Sequence, residues 1–362
     1  MSAGQGGPMK VGLNFLPTVG PAEMSAERFY DEIIELCELA DELSFAHVKL
    51  VEHHFHEWGG YSPDPVALLS AIARRTRRVR LVTGAVTPAF NHPVRLAASL
   101  SVLDNLSHGR LDVGFGRGFL PSEFEAFGVA LEDSRALLEE NVELIEQLWT
   151  QDNFRWNGRF HTLGPLPAML PRPVQQPAPP VFIAATTSPE TFTWAASHGY
   201  NLMVMPVVAS HQRLTELLDL YRKTRAECGH SPDFRLHVSY HAYVAENHAE
   251  AVERAERHYE AYRSKQLEAY GSWRGVTSQL YPGYERMEQA ARRTTTADLM
   301  AADNIIIGGV PEVRTTLRRI GELYPGAELS LQLRFGSVSH AEAMRAVRLL
   351  GEQVLPDLVE AE

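Results

Sequence analysis

Between Lys10 and Val51 the chain reads KVGLNFLPTVGPAEMSAERFYDEIIELCELADELSFAHVKLV. The stretch opens on a short apolar run, Lys10–Leu16, and closes on another, His47–Val51, each bounded by Pro, Gly or polar residues as buried strands are. Between them, in Glu27–Leu43, Phe29, Ile33, Leu36, Ala40 and Leu43 return every three or four positions, the spacing of an amphipathic helix. Strand, helix and strand make one βαβ unit, and the same rhythm runs on through the chain. Val79–Ala85, Leu111–Phe115, Val181–Ala185, Asn201–Met205, Leu236–Val244 and Leu329–Arg334 read as further strands. Ser134–Trp149 and His340–Leu355 read as further amphipathic helices. Eight strands with helices between them predict an α/β chain folded as a (β/α)8 TIM barrel. A doubly wound sheet shares the alternation, and pattern alone does not exclude it.

The bulk properties fit one large barrel. The 362 residues are 44% hydrophobic and 22% charged, a soluble globular composition. Residues 10–362 are expected to form a single domain behind a polar, glycine-rich start that reads as a disordered or tag-like extension, not a signal peptide. With 34 basic against 45 acidic residues the net charge is −11, which argues against nucleic acid or an anionic membrane surface as partner. Two cysteines, Cys37 and Cys228, cannot build a disulfide framework. No apolar run approaches the ~18 residues that span a bilayer. A cytoplasmic enzyme is the expectation.

Two stretches interrupt the rhythm. Gly164–Pro180 holds seven prolines, which fix φ and remove donors, so it reads as a stiff, non-helical crossover; a connector and a lid are both open. Ser264–Thr296 places Tyr270, Trp273, Tyr281 and Tyr284 among Gly and Pro. Loops this long inside a compact domain are commonly functional, and this one is expected to be a mobile active-site lid.

Barrel enzymes carry their chemistry where strands end. The second strand ends in Glu52-His53-His54-Phe55-His56-Glu57, three histidines and two carboxylates in six positions. The spacing is not that of a metal motif, and no metal is expected; imidazole near neutrality suits proton transfer instead. After the third strand come Gly84 and Ala85, small enough for a flat ring or another backbone to approach, although a tight turn explains them equally well. After the fourth comes Gly114-Phe115-Gly116-Arg117-Gly118-Phe119, flexible backbone around one arginine with the wrong spacing for a dinucleotide fingerprint. After the fifth come Thr186, Thr187, Ser188 and Thr191 at a helix start, a cap and also a place for phosphate.

In order and together, Lys10-Val-Gly-Leu-Asn-Phe, Val51-Glu-His-His-Phe, Asn91-His-Pro-Val-Arg, Leu103-Asp-Asn-Leu-Ser-His-Gly-Arg, Phe115-Gly-Arg-Gly, Asp133-Ser-Arg-Ala-Leu and the Thr186 hydroxyl run resemble the bacterial luciferase family of flavin-dependent monooxygenases, above all the α-subunit branch. The resemblance implies non-covalent reduced FMN at the barrel mouth, oxygen adding at the flavin C4a position, and attack of that peroxide on an organic substrate. It implies His53 as the proton-transfer residue, with His54 second. Gly84 and Ala85, joined by a non-proline cis bond, would lie against the ring together with Gly116 and Phe119. Arg117, Ala185, Thr186, Ser188 and Thr191 would line the phosphate side. A separate NAD(P)H flavin reductase and a homodimer are further implied. Ala185 stands where luciferase has a glutamate, and the lid sequence is its own, so light emission and a long-chain aldehyde do not follow. A deazaflavin-dependent hydride-transfer enzyme of the same fold, and a non-catalytic flavin-binding subunit, are the alternatives.

Overall fold

Short strands buried on both faces can pair only in a sheet covered on both sides, and here the sheet closes on itself. The computed structural model describes residues 9–359. In it the first strand (Lys10–Phe15) pairs in parallel with the second (His47–Leu50) and the eighth (Glu328–Gln332). The ring continues through the third (Arg80–Val86), fourth (Leu111–Phe115), fifth (Val181–Ala184), sixth (Asn201–Val204) and seventh (Leu236–Val244), which closes it against the eighth. This is a (β/α)8 TIM barrel, and a doubly wound sheet, which stays open, is excluded. The eight ring strands are those read from the sequence, with ends shifted by a residue or two.

Three features depart from that reading. A ninth strand, Ile305–Gly308, pairs with the outer half of the seventh, from His241 to Val244, beyond the point where the sixth strand has let go. Phe154–Asn157 and Thr162–Leu166 form an antiparallel hairpin, so the start of the proline-rich stretch is strand. The rest of that stretch is stapled away from the barrel mouth: the Gln175 amide groups donate to the Asp104 carboxylate at 2.8 and 2.9 Å and to Leu111 O at 2.7 Å. Leu111 begins the fourth strand, so the crossover passes the opposite end of the barrel and serves as a connector.

Ser264–Thr296 is also more ordered than a loop. The helix His248–Tyr270 runs seven residues into it, because Lys265, Gln266, Leu267, Glu268 and Ala269 are good helix formers, and Gly271 ends it. Short turns follow, then the helix Met287–Arg293. Trp273 and Tyr281 are buried.

The far end of the barrel is closed by charge. Buried Asp112 accepts from Arg80 Nε at 2.7 Å and from Arg235 Nη1 and Nη2 at 2.8 and 2.7 Å. Arg235 Nε reaches on to Glu328 Oε1 at 2.7 Å. Deeper in the ring, Lys49 donates to Ser239 Oγ at 2.6 Å, and burial brings its pKa down to about 7.

Candidate active site

The fifth strand leads through buried Ala185, whose N–H donates to Met203 O, into Thr186, Thr187, Ser188 and the helix Pro189–Ser197. Ser188 holds the N-cap position, yet its side chain does not cap the helix. Its Oγ instead accepts from Arg135 Nη2 at 2.9 Å, and Thr191 Oγ1 accepts from Arg135 Nη1 at 3.4 Å. Arg135 comes from the first turn of the helix Ser134–Thr150. Burial, then the neighbouring charge of Arg117, lowers its pKa. Arg117 lies with its guanidinium 3.9 Å from the centre of the Tyr281 ring, and its buried Nη1 has no partner. Two guanidinium groups and the hydroxyls at a helix start make an anion cradle. Two carboxylates stand near this group: Glu190, 3.9 Å from Arg135 with its side chain 71% exposed, and Glu139, one helical turn on from Arg135.

Beside the cradle the strand ends are small. Gly84 and Ala85 are joined by a cis peptide bond, as the resemblance implied. A Cβ on Gly84 would fall 2.2 Å from Lys49 Cγ, so no side chain fits there. A Cβ on Gly116 would meet Ala85 Cβ at 3.2 Å and Ala184 Cβ at 3.9 Å. Three neighbouring strands thus carry glycine or alanine at or beside their ends and leave a shelf without bulky side chains.

The two histidines named from the sequence part company here. His53 packs between Trp58, at 4.6 Å between ring centres, and Phe119, at 5.8 Å. Phe119 in turn lies 6.1 Å from both Tyr270 and Tyr284, and Thr186 Oγ1 is 3.4 Å from the Tyr284 hydroxyl. His53, Phe119, Arg117 and Thr186 are therefore gathered under the Tyr270–Tyr284 segment, which also hydrogen-bonds Gly118 O through Tyr281 Oη at 2.8 Å. His54 faces elsewhere: Nε2 meets Glu52 Oε1 at 3.1 Å, and the ring packs against Phe127.

Glu123 is a residue that the sequence reading passed over. It sits in the first turn of the short helix Pro121–Ala126 and is 1% exposed. Its Oε1 is 3.1 Å from His53 Nδ1 and accepts the His54 N–H at 2.8 Å. Burial alone would raise its pKa, but the His53 ring and the two hydrogen bonds outweigh that and lower it. In sequence it is one of two acids in Pro121-Ser-Glu-Phe-Glu-Ala, with nothing to set it apart from Glu125. Arg135 was quoted in a motif without a role; its partners Ser188 and Thr191 lie more than fifty residues away in sequence.

With this geometry in place, the comparison with known proteins is direct. A sequence profile described as luciferase-like monooxygenase matches residues 9–325. The chain belongs to the luciferase-like monooxygenase family. It is 29% identical over 302 residues to the oxygenase component of a flavin-dependent trigonelline monooxygenase from Acinetobacter baylyi, covering 82% of this chain and 81% of that one. Monooxygenase RslO1 from Streptomyces bottropensis superposes with a TM-score of 0.83 at 41% identity, over 96% of this chain and 99% of that one. At 20% identity, where only the fold is shared, the oxygenating constituent of 3,6-diketocamphane monooxygenase from Pseudomonas putida, solved with FMN, gives a TM-score of 0.78 over 96% and 98% of the two chains. An F420-dependent secondary alcohol dehydrogenase shares the fold equally, at 16% identity and a TM-score of 0.74 over 98% and 99%.

This luciferase-like enzyme is accordingly a flavin-dependent monooxygenase. Among its described residues, no helix is long and apolar enough to cross a membrane. One buried group has metal-ligand spacing, His47, His237 and Glu328. It lies at the charged far end of the barrel, Glu328 is already engaged by Arg235, and Arg80, Arg235 and Lys49 crowd it with positive charge. A further cation there would be repelled.

Proposed function

We propose that the enzyme takes reduced FMN from a separate NAD(P)H flavin reductase and uses O2 to oxygenate a small organic substrate. The balance is substrate, O2 and reduced FMN giving oxygenated product, water and oxidised FMN. The observation that carries this reading is the cradle: Arg135 held by Ser188 and Thr191, with the unpartnered Arg117 Nη1 beside it and a shelf of Gly84, Ala85 and Gly116 next to both. An anionic tail attached to a flat ring matches that pairing. The trigonelline enzyme, an oxygenase component by name, supports the two-component form.

In this reading Arg117, Arg135, Thr186, Ser188 and Thr191 hold the phosphate, and the small shelf together with Ala185 and Phe119 borders the ring. Bound reduced flavin supplies the electrons that activate O2. His53 is the catalytic residue that moves protons. With Nδ1–H directed at Glu123, its Nε2 is left as the acceptor of the neutral ring, and among the described residues nothing hydrogen-bonds to it. Glu123 is a positioning residue for that tautomer. His54, tied to Glu52, supports the loop. The Tyr270–Tyr284 cover keeps water out, which an oxygen-activating site requires.

The test is an anaerobic titration of the purified chain with reduced FMN and, separately, with reduced F420. Binding of FMN, weakened about tenfold or more in a Ser188→Ala/Thr191→Ala variant, is expected, since hydrogen bonds to a charged group are worth ~1.5–3 kcal/mol each. Tight binding of reduced F420 with none of FMN would replace the reading by hydride transfer, which the dehydrogenase of like fold keeps in view.

A further inference from the structure

A cavity of about 280 Å³ opens at the barrel rim between the segments that follow the first and eighth strands, roofed by the helix His248–Tyr270. It lies outside the cradle and the shelf. One wall is apolar, built from Phe15, Phe29, Ile33 and Val338. The other carries charge, and the pairs within it are already made. Glu32 engages both Arg28 and Arg334, while Lys265 bonds Thr18 O at 2.8 Å and Glu23 Oε2 at 2.5 Å.

Two residues of this lining each leave one buried nitrogen over. The Arg334 side chain is only 9% exposed, and its Nη1 is buried without a partner. His340 places Nε2 2.8 Å from Glu35 Oε2 and leaves Nδ1 buried without a partner. A buried guanidinium N–H with nothing to donate to costs stability unless something fills the place. Water could meet a lone N–H, but the apolar wall opposite favours an occupant with a hydrophobic body.

We infer that this cavity binds a small carboxylate with an apolar body, its charge on Arg334 and His340 and its body against Phe29 and Ile33. With Glu35 on Nε2, a carboxylate at Nδ1 engages His340 as the imidazolium, which donates from both nitrogens. The site adjoins the chemistry without entering it. Thr18, on its lining, is bridged to Trp58, which packs on His53, and Lys265 stands on the helix that runs into the Tyr270–Tyr284 cover.

This proposal does not rest on the flavin reading, and benzoate is a suitable probe. Saturation-transfer NMR and calorimetry on the flavin-free full chain should show benzoate binding and no binding of benzyl alcohol, which keeps the ring and lacks the charge. His340→Ala should weaken benzoate about tenfold or more. Arg334→Lys, which retains the charge toward Glu32 but loses the second nitrogen, should do likewise. The Ser188→Ala/Thr191→Ala variant should bind benzoate as the wild type does. Failure of the wild type to bind benzoate, unchanged affinity in folded His340→Ala, or loss of binding in the cradle variant instead, would each overturn the assignment.

Discussion

Replacing Arg135 by leucine removes a guanidinium that donates to Ser188 and Thr191 and lies close enough to Arg117 for the two charges to repel. In the flavin-free protein part of its hydrogen bonding is spent on neutral hydroxyls, worth ~1 kcal/mol each net. Facing a phosphate, the same donors make charge-assisted bonds worth ~1.5–3 kcal/mol each. Two such bonds, less the hydroxyl bonds given up, leave about 3 kcal/mol, close to a hundredfold in affinity for reduced FMN. The side chain is 21% exposed, so solvent screening trims this only modestly. Riboflavin, which has the ring and no phosphate, should bind wild type and variant alike. The thermal midpoint of the flavin-free variant should not fall, because relief of the Arg117 repulsion offsets the lost hydroxyl bonds. Paired anaerobic titrations with reduced FMN and reduced riboflavin read the outcome. An equal loss for both ligands would mean that Arg135 shapes the whole site and does not select phosphate.

His53→Ala should keep flavin binding and lose turnover by ~10²–10⁴-fold, the usual contribution of a proton-transfer group; full product yield would remove His53 from the mechanism. Glu123→Gln should change the acid limb of stability. Because the folded pKa of Glu123 is lowered, its stabilisation is complete above the unfolded carboxylate value of ~4.3 and is lost as pH falls through the lower folded value. Urea unfolding of wild type and variant should therefore differ at pH 7 and converge in strong acid, and a constant gap across that range would contradict the assignment. Tyr281→Ala uncovers Arg117 and cuts the tie to Gly118, so limited proteolysis should cleave within residues 271–286 faster than in the wild type, with FMN restoring protection.

The ring was legible because each of its strands is a short run built around Val, Ile, Leu or Phe and bounded by Gly, Pro or polar residues, a signal carried by a few adjacent residues. Ile305–Gly308 carries the same kind of run and was passed over; what no local pattern shows is its place outside the ring, on the edge left where the nine-residue seventh strand outlasts its neighbour. The hairpin depends on Glu140, whose carboxylate collects the Trp156 indole N–H and the backbone N–H groups of Arg159, Phe160 and His161. Nothing near Glu140 in sequence announces that. Strand-end residues such as His53, Gly84, Gly116 and Arg117 could be picked out because barrel geometry fixes where strand ends go. Their partners Glu123 and Arg135 ride on helices, where an acid or a base looks like ordinary solvated surface. His53 and His54 part because each ring finds a different carboxylate, Glu123 for one and Glu52 for the other.

The charged closure around Asp112 gives the molecule two separate kinds of vulnerability. Asp112, Arg80, Arg235 and Glu328 come from four different parts of the ring and meet at one point, and removing Arg235 takes a guanidinium from two buried carboxylates at once. Changes there are paid in yield of folded protein, whereas changes along the mouth fall on reaction and ligand choice. In a library of single substitutions scored for both expression and activity, the two sets should separate onto different axes. Evolution toward new substrates can then redraw the rim, from Trp58 to Tyr284, while the opposite end holds the ring shut.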